Sequence, residues 1–411
     1  MINPVVDPVP RINHRVVTTV FWKCLAGTIV ILLRRGLWMI VLARLEDKIM
    51  ASKEDVLEAL RSVQDPELFK DIVSLNMVKS VEVHGATAKI DVELTTPACP
   101  LKDRIRADVT AAVAQVPGIT KVDITLSSRV RAASDPRTIL PGVKNIIAVG
   151  AGKGGVGKST ISVAIAAGLA MRGATVGLMD ADVYGPSIPT MTGLEAQSPA
   201  VQGDKIIPFV VGPHGQSIKV MSIGFIVPRE KALIWRGPMV HGVIKQFLEQ
   251  VQWGDLDYLV VDLPPGTGDV SLTLAQSIPL TGAVIVATPQ EVALMDARRA
   301  VRMFQQLGVS ILGVVENMSY FVCDHGTQYD LFGRGGTQRM AKEMGLPFLG
   351  ELPMDIRIPQ HGDKGELFAG FKTGSPSQSF LDSIVENLAG QISVRNMTRP
   401  AAKSLKLEVT E

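Results

Sequence analysis

Cysteine is scarce, with three in 411 residues. So small and odd a number excludes a disulfide framework and suits a reducing compartment, so a cytoplasmic chain is expected. An excess of one charge is also missing: 42 Lys plus Arg face 40 Asp plus Glu, a net charge of +2. That balance excludes nucleic-acid binding by bulk charge, and no nucleic-acid partner is expected. Glycine and proline, 38 and 25 residues, are too few for a low-complexity chain. The basic, apolar stretch before Met50 lacks a long uncharged run. Its longest runs from Cys24 to Leu33 and is cut by Arg34 and Arg35. A membrane-spanning helix needs ~20 apolar residues. A secretory signal needs a small-residue cleavage site where the Arg pair stands. No stable membrane association is expected. What the chain does have is length: at ~150 residues per domain it holds two to three domains, with a core that needs no staples.

Residues 1–49 admit three readings. They are a membrane-surface or targeting segment, an anchor fused across the Arg pair, or upstream sequence preceding a start at Met50. The residues after Met50 favour the last. Ser52 is placed to cap a helix whose first turn is acidic. Residues 1–49 are therefore expected to lie outside the fold.

Residues 50–130 read as a small α/β domain. Val56, Leu57, Leu60 and Val63 recur at helical spacing, and ATAKIDVEL from Ala86 alternates as a half-buried strand. Ile105, Val109, Ala112 and Val113 mark a second helix, and Pro117 and Gly118 turn the chain into the strand KVDITL. Cys99, in TTPACP, sits between strand and helix. A thiol ahead of a helix N-terminus can have a lowered pKa, which makes a better metal ligand or nucleophile. It can equally be a small buried apolar residue. Residues 131–143 form a connector with Pro136, Pro141 and Gly142, 144–392 form a larger α/β domain, and 393–411 are expected to be a flexible tail.

The larger domain opens with NIIAVGAGKGGVGKST: an apolar strand, a glycine loop and a helix start. Gly152, Gly157, Lys158 and Ser159 meet the pattern G-x-x-x-x-G-K-[ST]. The backbone of Gly152, Lys153, Gly154, Gly155, Val156 and Gly157 would converge N–H groups on phosphate oxygens, with the helix N-terminus behind them. Lys158 would reach the β- and γ-phosphates, Ser159 would offer its hydroxyl to Mg²⁺, and Thr160 follows in the same turn. ATP and Mg²⁺ are the expected ligands. TVGLMDADVYG ends a strand in Asp180 and Asp182, where a carboxylate can orient the attacking water; Asp182 is the candidate. DYLVVDLPPGTGD ends another in Asp262, the candidate for Mg²⁺. Asp269 closes that loop or caps the next helix. Asn317, in ILGVVENMS, would read the adenine edge. Each lies at the C-terminal end of a strand, where open α/β sheets place ligands.

Lys153, directly after the first glycine, makes this the deviant form of the loop. It resembles the MinD, ArsA and nitrogenase iron-protein class. The resemblance implies that Lys153 reaches across a homodimer to the partner's nucleotide. DADVYGPSIP, DLPPGTGDV, ENMSYFVC and YDLFGRGG together resemble the Mrp/ApbC subfamily over residues 144–390. VQDPEL, DIVSLNMV and TTPACPLKD resemble the small domain of iron–sulfur assembly proteins over residues 52–127. The implied fold is a P-loop NTPase with a mostly parallel sheet flanked by helices, preceded by a small α+β domain. The implied function is a slow ATPase that carries an iron–sulfur cluster, usually [4Fe–4S], to apoproteins alongside assembly factors.

The sequence departs from that pattern at one place. The subfamily carries Cys-x-x-Cys after ENMSYF, giving four thiolates per dimer. Here Cys323 is present and Gly326 holds the second position. His325 is a solvated loop residue or an added imidazole ligand, and Cys99 would contribute only if the small domain folded over the site. The alternative function is a MinD/ParA-like nucleotide switch without a stable cluster.

Overall fold

The computed structural model describes residues 51–398 except 67, 69, 133–139, 141, 196, 227–236, 367, 372 and 373; upstream it describes only Thr28–Ile29 paired antiparallel with Ala43–Arg44. The expectations for residues 1–49 otherwise lie outside the described residues, as do most of the connector and residues 399–411.

The small unit begins with α1 (Lys53–Leu60). Ser52 Oγ accepts from the Asp55 backbone N–H at 3.1 Å and Asp55 Oδ2 accepts from the Ser52 N–H at 2.9 Å. This reciprocal cap satisfies two donors that the first turn would otherwise leave open. Strand β1 (Val78–His84) pairs antiparallel with β2 (Thr87–Leu94), and β3 (Lys121–Ser128) runs parallel to β2 after α2 (Lys102–Val113). Val56, Leu60, Ile90, Val92, Ile105 and Val109 fill their shared core. Strand β1 has no counterpart in the sequence reading. A register shift between Val78 and Ser80 breaks its alternation, and only Val81 is buried.

The larger unit has its own core, built on β4 (Val143–Ala151), α3 (Lys158–Met171), β5 (Val176–Asp180), β6 (Phe209–Val211), β7 (Ile218–Ser222), α4 (Gly237–Gln250), β8 (Leu256–Asp262), α5 (Asp269–Ser277), β9 (Gly282–Ala287), α6 (Glu291–Gln306), β10 (Ile311–Val322), β11 (Gln328–Tyr329), α7 (Gly336–Met344), β12 (Phe348–Met354), α8 (Arg357–Asp363) and α9 (Gln378–Thr398). Among the described residues these strands form one nine-stranded sheet in the order β6-β7-β5-β8-β4-β9-β10-β11, with β12 paired to β10. The central pairs are parallel; only β6 and β11 run antiparallel to their neighbours. Strands β4, β5, β8 and β9 read as near-continuous apolar runs because helices cover both faces of such a sheet.

Helix α3 is buried on nearly every side. A Cβ on Gly168 would meet Val385 Cγ2 at 2.6 Å and Phe371 at 2.8 Å, so this glycine lets α9 close on α3. Arg172 fastens the same contact through Asp382 at 2.6 Å and Glu386 at 2.9 Å. The expected tail boundary needs correction, because α9 continues to Thr398. Ile392 and Ser393 are buried, and Asn396 Nδ2 donates to the carbonyl of Arg131 and to Asn145 Oδ1. Among the described residues no helix is long and apolar enough to cross a membrane.

The TTPACP loop of the small unit rests on the larger one. Thr96 Oγ1 and the Tyr258 hydroxyl are 3.1 Å apart and buried, and Ala98 joins the larger core. Tyr258 and Asn145 stand near the beginnings of β8 and β4, so docking uses the end of the sheet where those central strands start.

Candidate nucleotide site and thiol hairpin

The glycine loop joins the C-terminal end of β4 to the first turn of α3. Two of its glycines are demanded by geometry. A Cβ on Gly152 would lie 2.2 Å from the backbone of Asp296 in α6. Gly157 caps α3 at φ +81°, and a Cβ there would lie 2.1 Å from Asn317 Nδ2. Both positions hold the loop open toward the helix N-terminus, where backbone N–H groups have no intrahelical partner.

Lys158 is buried among carboxylates. Its Nζ lies 2.8 Å from Asp262 Oδ2, 3.3 Å from Asp182 Oδ2 and 3.2 Å from Ser159 Oγ. Burial opposes its charge, but Asp262 and Asp182 outweigh burial and hold its pKa above the ordinary lysine range. Asp262, fully buried, also accepts from Ser159 Oγ and Ser162 Oγ, each at 2.6 Å. Asp182 Oδ1 accepts from the backbone N–H groups of Tyr184 and Gly185. Burial raises its pKa against the pull of Lys158. Asp180 is enclosed. It accepts from Asp182 N, Ser222 Oγ and Ile188 N, and burial followed by the charge of Asp262 pushes its pKa up to about 8. It therefore positions the Asp182 segment and does not face the cleft.

Lys153 lines the cleft and meets no hydrogen-bond or ion-pair partner among the described residues. With Gly154, Gly155, Ser159, Thr160 and Pro265 it borders a space of about 510 Å³. A second, apolar space of about 540 Å³ shares Gly157, Thr160, Ile358 and Pro359 with the first and is walled by Met318, Phe321, Leu331, Phe332, Met354 and Ile356. Each has the size of an ordinary small-molecule site. A polar basin feeding an apolar one suits the phosphates and the base of one nucleotide.

Asn317 borders the apolar space, but its side-chain amide donates to the Val156 carbonyl at 2.8 Å. In this arrangement it braces the glycine loop. The side chain of Asp269 lies outside the described residues. Glu316, beside Asn317, is fully buried and accepts from the backbone N–H groups of Gly335 and Thr337 and from Ser319 Oγ. Sequence reasoning missed this carboxylate, and also Ser162 and Ser222. Ser162 follows Ser159 by three residues, a spacing that puts both on one helix face. Nothing local marks Glu316 or Ser222, because their partners are distant in sequence.

Beyond β10 the chain turns back through Cys323–Gly326 into β11. Gly326 N–H donates to the Cys323 carbonyl at 2.8 Å, and Cys323 N–H donates to the Thr327 carbonyl at 3.0 Å. Gly326 takes φ +78°, the left-handed conformation that closes the turn. The Cys323 thiol pKa is lowered, first by the backbone N–H of His325 and then by that of Thr327. The turn thus stabilises a thiolate at Cys323 and supplies no second one. His325 is exposed. Among the described residues no three His, Cys, Asp or Glu side chains gather as a metal site. Neither Cys323 nor Cys99 is in a disulfide. The condition set for Cys99 is not met within one chain. Its loop packs at Tyr258, near the start of β8, whereas Asp262 ends that strand. Those four residues span about 13 Å, and Cys323 lies beyond the same end of the sheet as Asp262.

Comparison with known proteins agrees with this arrangement. Residues 142–389 match the NUBPL iron-transfer P-loop NTPase family, and residues 53–126 match the iron-sulfur cluster assembly protein family. The iron-sulfur cluster carrier protein of Synechocystis sp. is 48% identical over 353 residues, spanning 84% of this chain and 99% of that one. The protein of the same name from Deinococcus radiodurans is 50% identical over 345 residues, spanning 84% of this chain and 96% of its own. The solved nucleotide-binding protein of Archaeoglobus fulgidus in complex with ADP is 39% identical, with a TM-score of 0.51, covering 58% of this chain and 91% of that one. With a P-loop, its paired carboxylates and the preceding assembly-type unit all in place, the chain belongs to the NUBPL iron-transfer P-loop NTPase family.

Proposed function

We propose that this protein is a cytoplasmic ATPase that, as a homodimer, carries an iron–sulfur cluster of the [4Fe–4S] kind to apoproteins and works with assembly factors. One observation carries the reading. The buried Lys158–Asp262–Asp182 cluster and the Cys323 hairpin stand at the same end of one sheet, and an apolar space takes its walls from Gly157 and Thr160 beside that cluster and from Phe321 and Leu331, which flank the hairpin turn. The names of the carrier relatives support the cargo.

In this account Lys158 leaves Asp262 for the β- and γ-phosphate oxygens, while the loop N–H groups hold the same phosphates. Ser159 and Asp262 fit Mg²⁺: they converge hard oxygen donors, and the Lys158 ammonium already stands there as a cation. When bound, Mg²⁺ neutralises phosphate charge. Asp182 orients the attacking water once Lys158 has moved. The water oxygen bonds to the γ-phosphorus, the bond to the β–γ bridging oxygen breaks, and the water proton passes to solvent. Lys153 is free in one chain to serve a partner's nucleotide. Two chains then offer two Cys323 thiolates to the cargo, and the remaining ligands come from outside this hairpin.

The second reading, a nucleotide switch without a stable cluster, is favoured by Gly326 alone. The test measures ATP hydrolysis and cluster handover to an apo [4Fe–4S] enzyme for the parent, Lys158→Ala and Lys153→Ala. We expect Lys158→Ala to lose ATP binding, and Lys153→Ala to keep binding and dimer formation while losing hydrolysis. Parent-rate hydrolysis by Lys153→Ala would remove its role in trans. Handover that ignores nucleotide in every variant would remove the coupling.

A further inference from the structure

The apolar space beside the glycine loop is walled on one side by residues that belong to the thiol hairpin. Leu331 and Phe332 follow β11 after the single residue Asp330 and stay 58% and 37% exposed, although both are apolar. Opposite them, Gly157 and Thr160 belong to the phosphate-binding turn. Strand β10 links the two sides. Asn317 bonds the glycine loop at Val156, Met318 takes φ +55°, and five residues after Met318 the chain reaches Cys323. A non-glycine residue at positive φ stores strain that the surroundings must hold in place, and such positions gather where segments switch. The Glu316 carboxylate, next in line, grips Gly335 and Thr337 beyond Phe332. The segment from 316 to 337 is therefore tied at both ends and carries the hairpin between its ties.

We propose that Leu331 and Phe332 close on the base of the bound nucleotide and thereby link nucleotide occupancy to the state of the Cys323 hairpin. The occupant follows from continuity: the apolar space opens from the phosphate basin and shares Gly157, Thr160, Ile358 and Pro359 with it. A base seated there covers two exposed apolar side chains, which favours the arrangement that brings them inward. Because the same loop ends the hairpin, the sulfur of Cys323 changes its accessibility when the base arrives. Linkage is reciprocal, so a cargo bound at Cys323 changes base affinity by the same factor. The inference rests on the ATP-binding reading and goes beyond it by naming the side chains through which the two sites communicate.

The test reads the alkylation rate of Cys323 by iodoacetamide in the full, metal-free chain, with the labelled peptide quantified by mass spectrometry. Mg-ATP is compared with Mg-tripolyphosphate, which fills the phosphate basin and lacks a base. Binding of each is measured separately by calorimetry. We expect ATP to change the Cys323 rate at least about fivefold, the lower end of ordinary site coupling, and tripolyphosphate to leave it unchanged. In Leu331→Ser/Phe332→Ser the ATP effect disappears, while tripolyphosphate binding shows that the loop is folded; Leu331→Met/Phe332→Leu retains the effect. Bound ATP with an unchanged rate overturns the proposal. So does an equal effect from tripolyphosphate, or an effect that vanishes on dilution and so belongs to a second copy. A chain that binds neither ligand instead refutes the nucleotide reading beneath it.

Discussion

Asp262→Asn tests the charge cluster at the centre of the site. The native carboxylate is fully buried and accepts three charged or hydroxyl donors at once: Lys158 Nζ at 2.8 Å and the hydroxyls of Ser159 and Ser162 at 2.6 Å each. The amide keeps the shape, but it offers one oxygen where two stood and presents an N–H₂ to donors. Removing one partner of a buried ion pair costs about 3–5 kcal/mol, because the other charge is left without compensation. Lys158 still has Asp182 at 3.3 Å, which places the cost near the lower figure. Asp180, whose pKa is raised first by burial and then by the Asp262 charge, ionises more readily once that charge is gone and adds to this relief. A loss of about 3 kcal/mol lowers the urea midpoint by about 1.5 M for a slope near 2 kcal/mol/M. The change in tryptophan emission of the nucleotide-free chain follows the transition through Trp253, which is buried in the larger core, because residues 51–128 contain no Trp. A midpoint within about 0.5 M of the parent, at equal slope, would refute the reasoning.

Three further expectations concern pH, the loop and the hairpin. Asp180 has a folded pKa of about 8 against 3.8 for an ordinary aspartate, so folding takes up a proton between those values. Its stabilising contribution is complete below about pH 4 and is lost as pH rises through 8; Asp180→Asn should therefore flatten the fall in urea midpoint between pH 6 and 8.5, and an unchanged profile would contradict this. Gly157→Ala brings a Cβ to within 2.1 Å of Asn317 Nδ2 at φ +81°; the left-handed conformation alone costs about 1–2 kcal/mol, and nucleotide titration should show binding lost, whereas parent-like affinity would contradict the role of this turn. Gly326→Cys accepts similar strain at φ +78°, but its Cβ meets nothing within 4 Å. It should fold and hold more iron after anaerobic reconstitution than the parent, and equal iron content would show that this position does not face the cargo.

The glycine loop was legible because its demands are local. A buried strand, glycines and a capped helix start must follow one another within a dozen residues. The carboxylates at Asp182 and Asp262 were legible for the same reason, each ending an apolar run. Glu316 and Ser222 were not, since each acts through a partner fixed only by the tertiary fold: Glu316 through Gly335 and Thr337, Ser222 through Asp180. Asn317 shows the difference within one residue. Its place in an apolar strand was readable, but that strand runs on to Val322 and does not end at Asn317, and its bond to Val156 depends on how β10 meets the loop. The strand Val78–His84 escaped notice because a register shift spoils its period, and the end of α9 because Asn396 finds its partners on Arg131 and Asn145. Cys99 was visible as a thiol ahead of a helix, but no pattern in the chain disclosed that its loop docks at the end of the sheet away from Asp262.

The most direct test of the carrier account is anaerobic reconstitution with iron and sulfide, reading iron and sulfide per chain beside the visible absorption spectrum, for the parent and Cys323→Ala. The account predicts a chromophore in the parent that is lost in Cys323→Ala while ATP binding persists in both. A parent that binds ATP and takes up no cluster, or a cluster indifferent to Cys323, would contradict it.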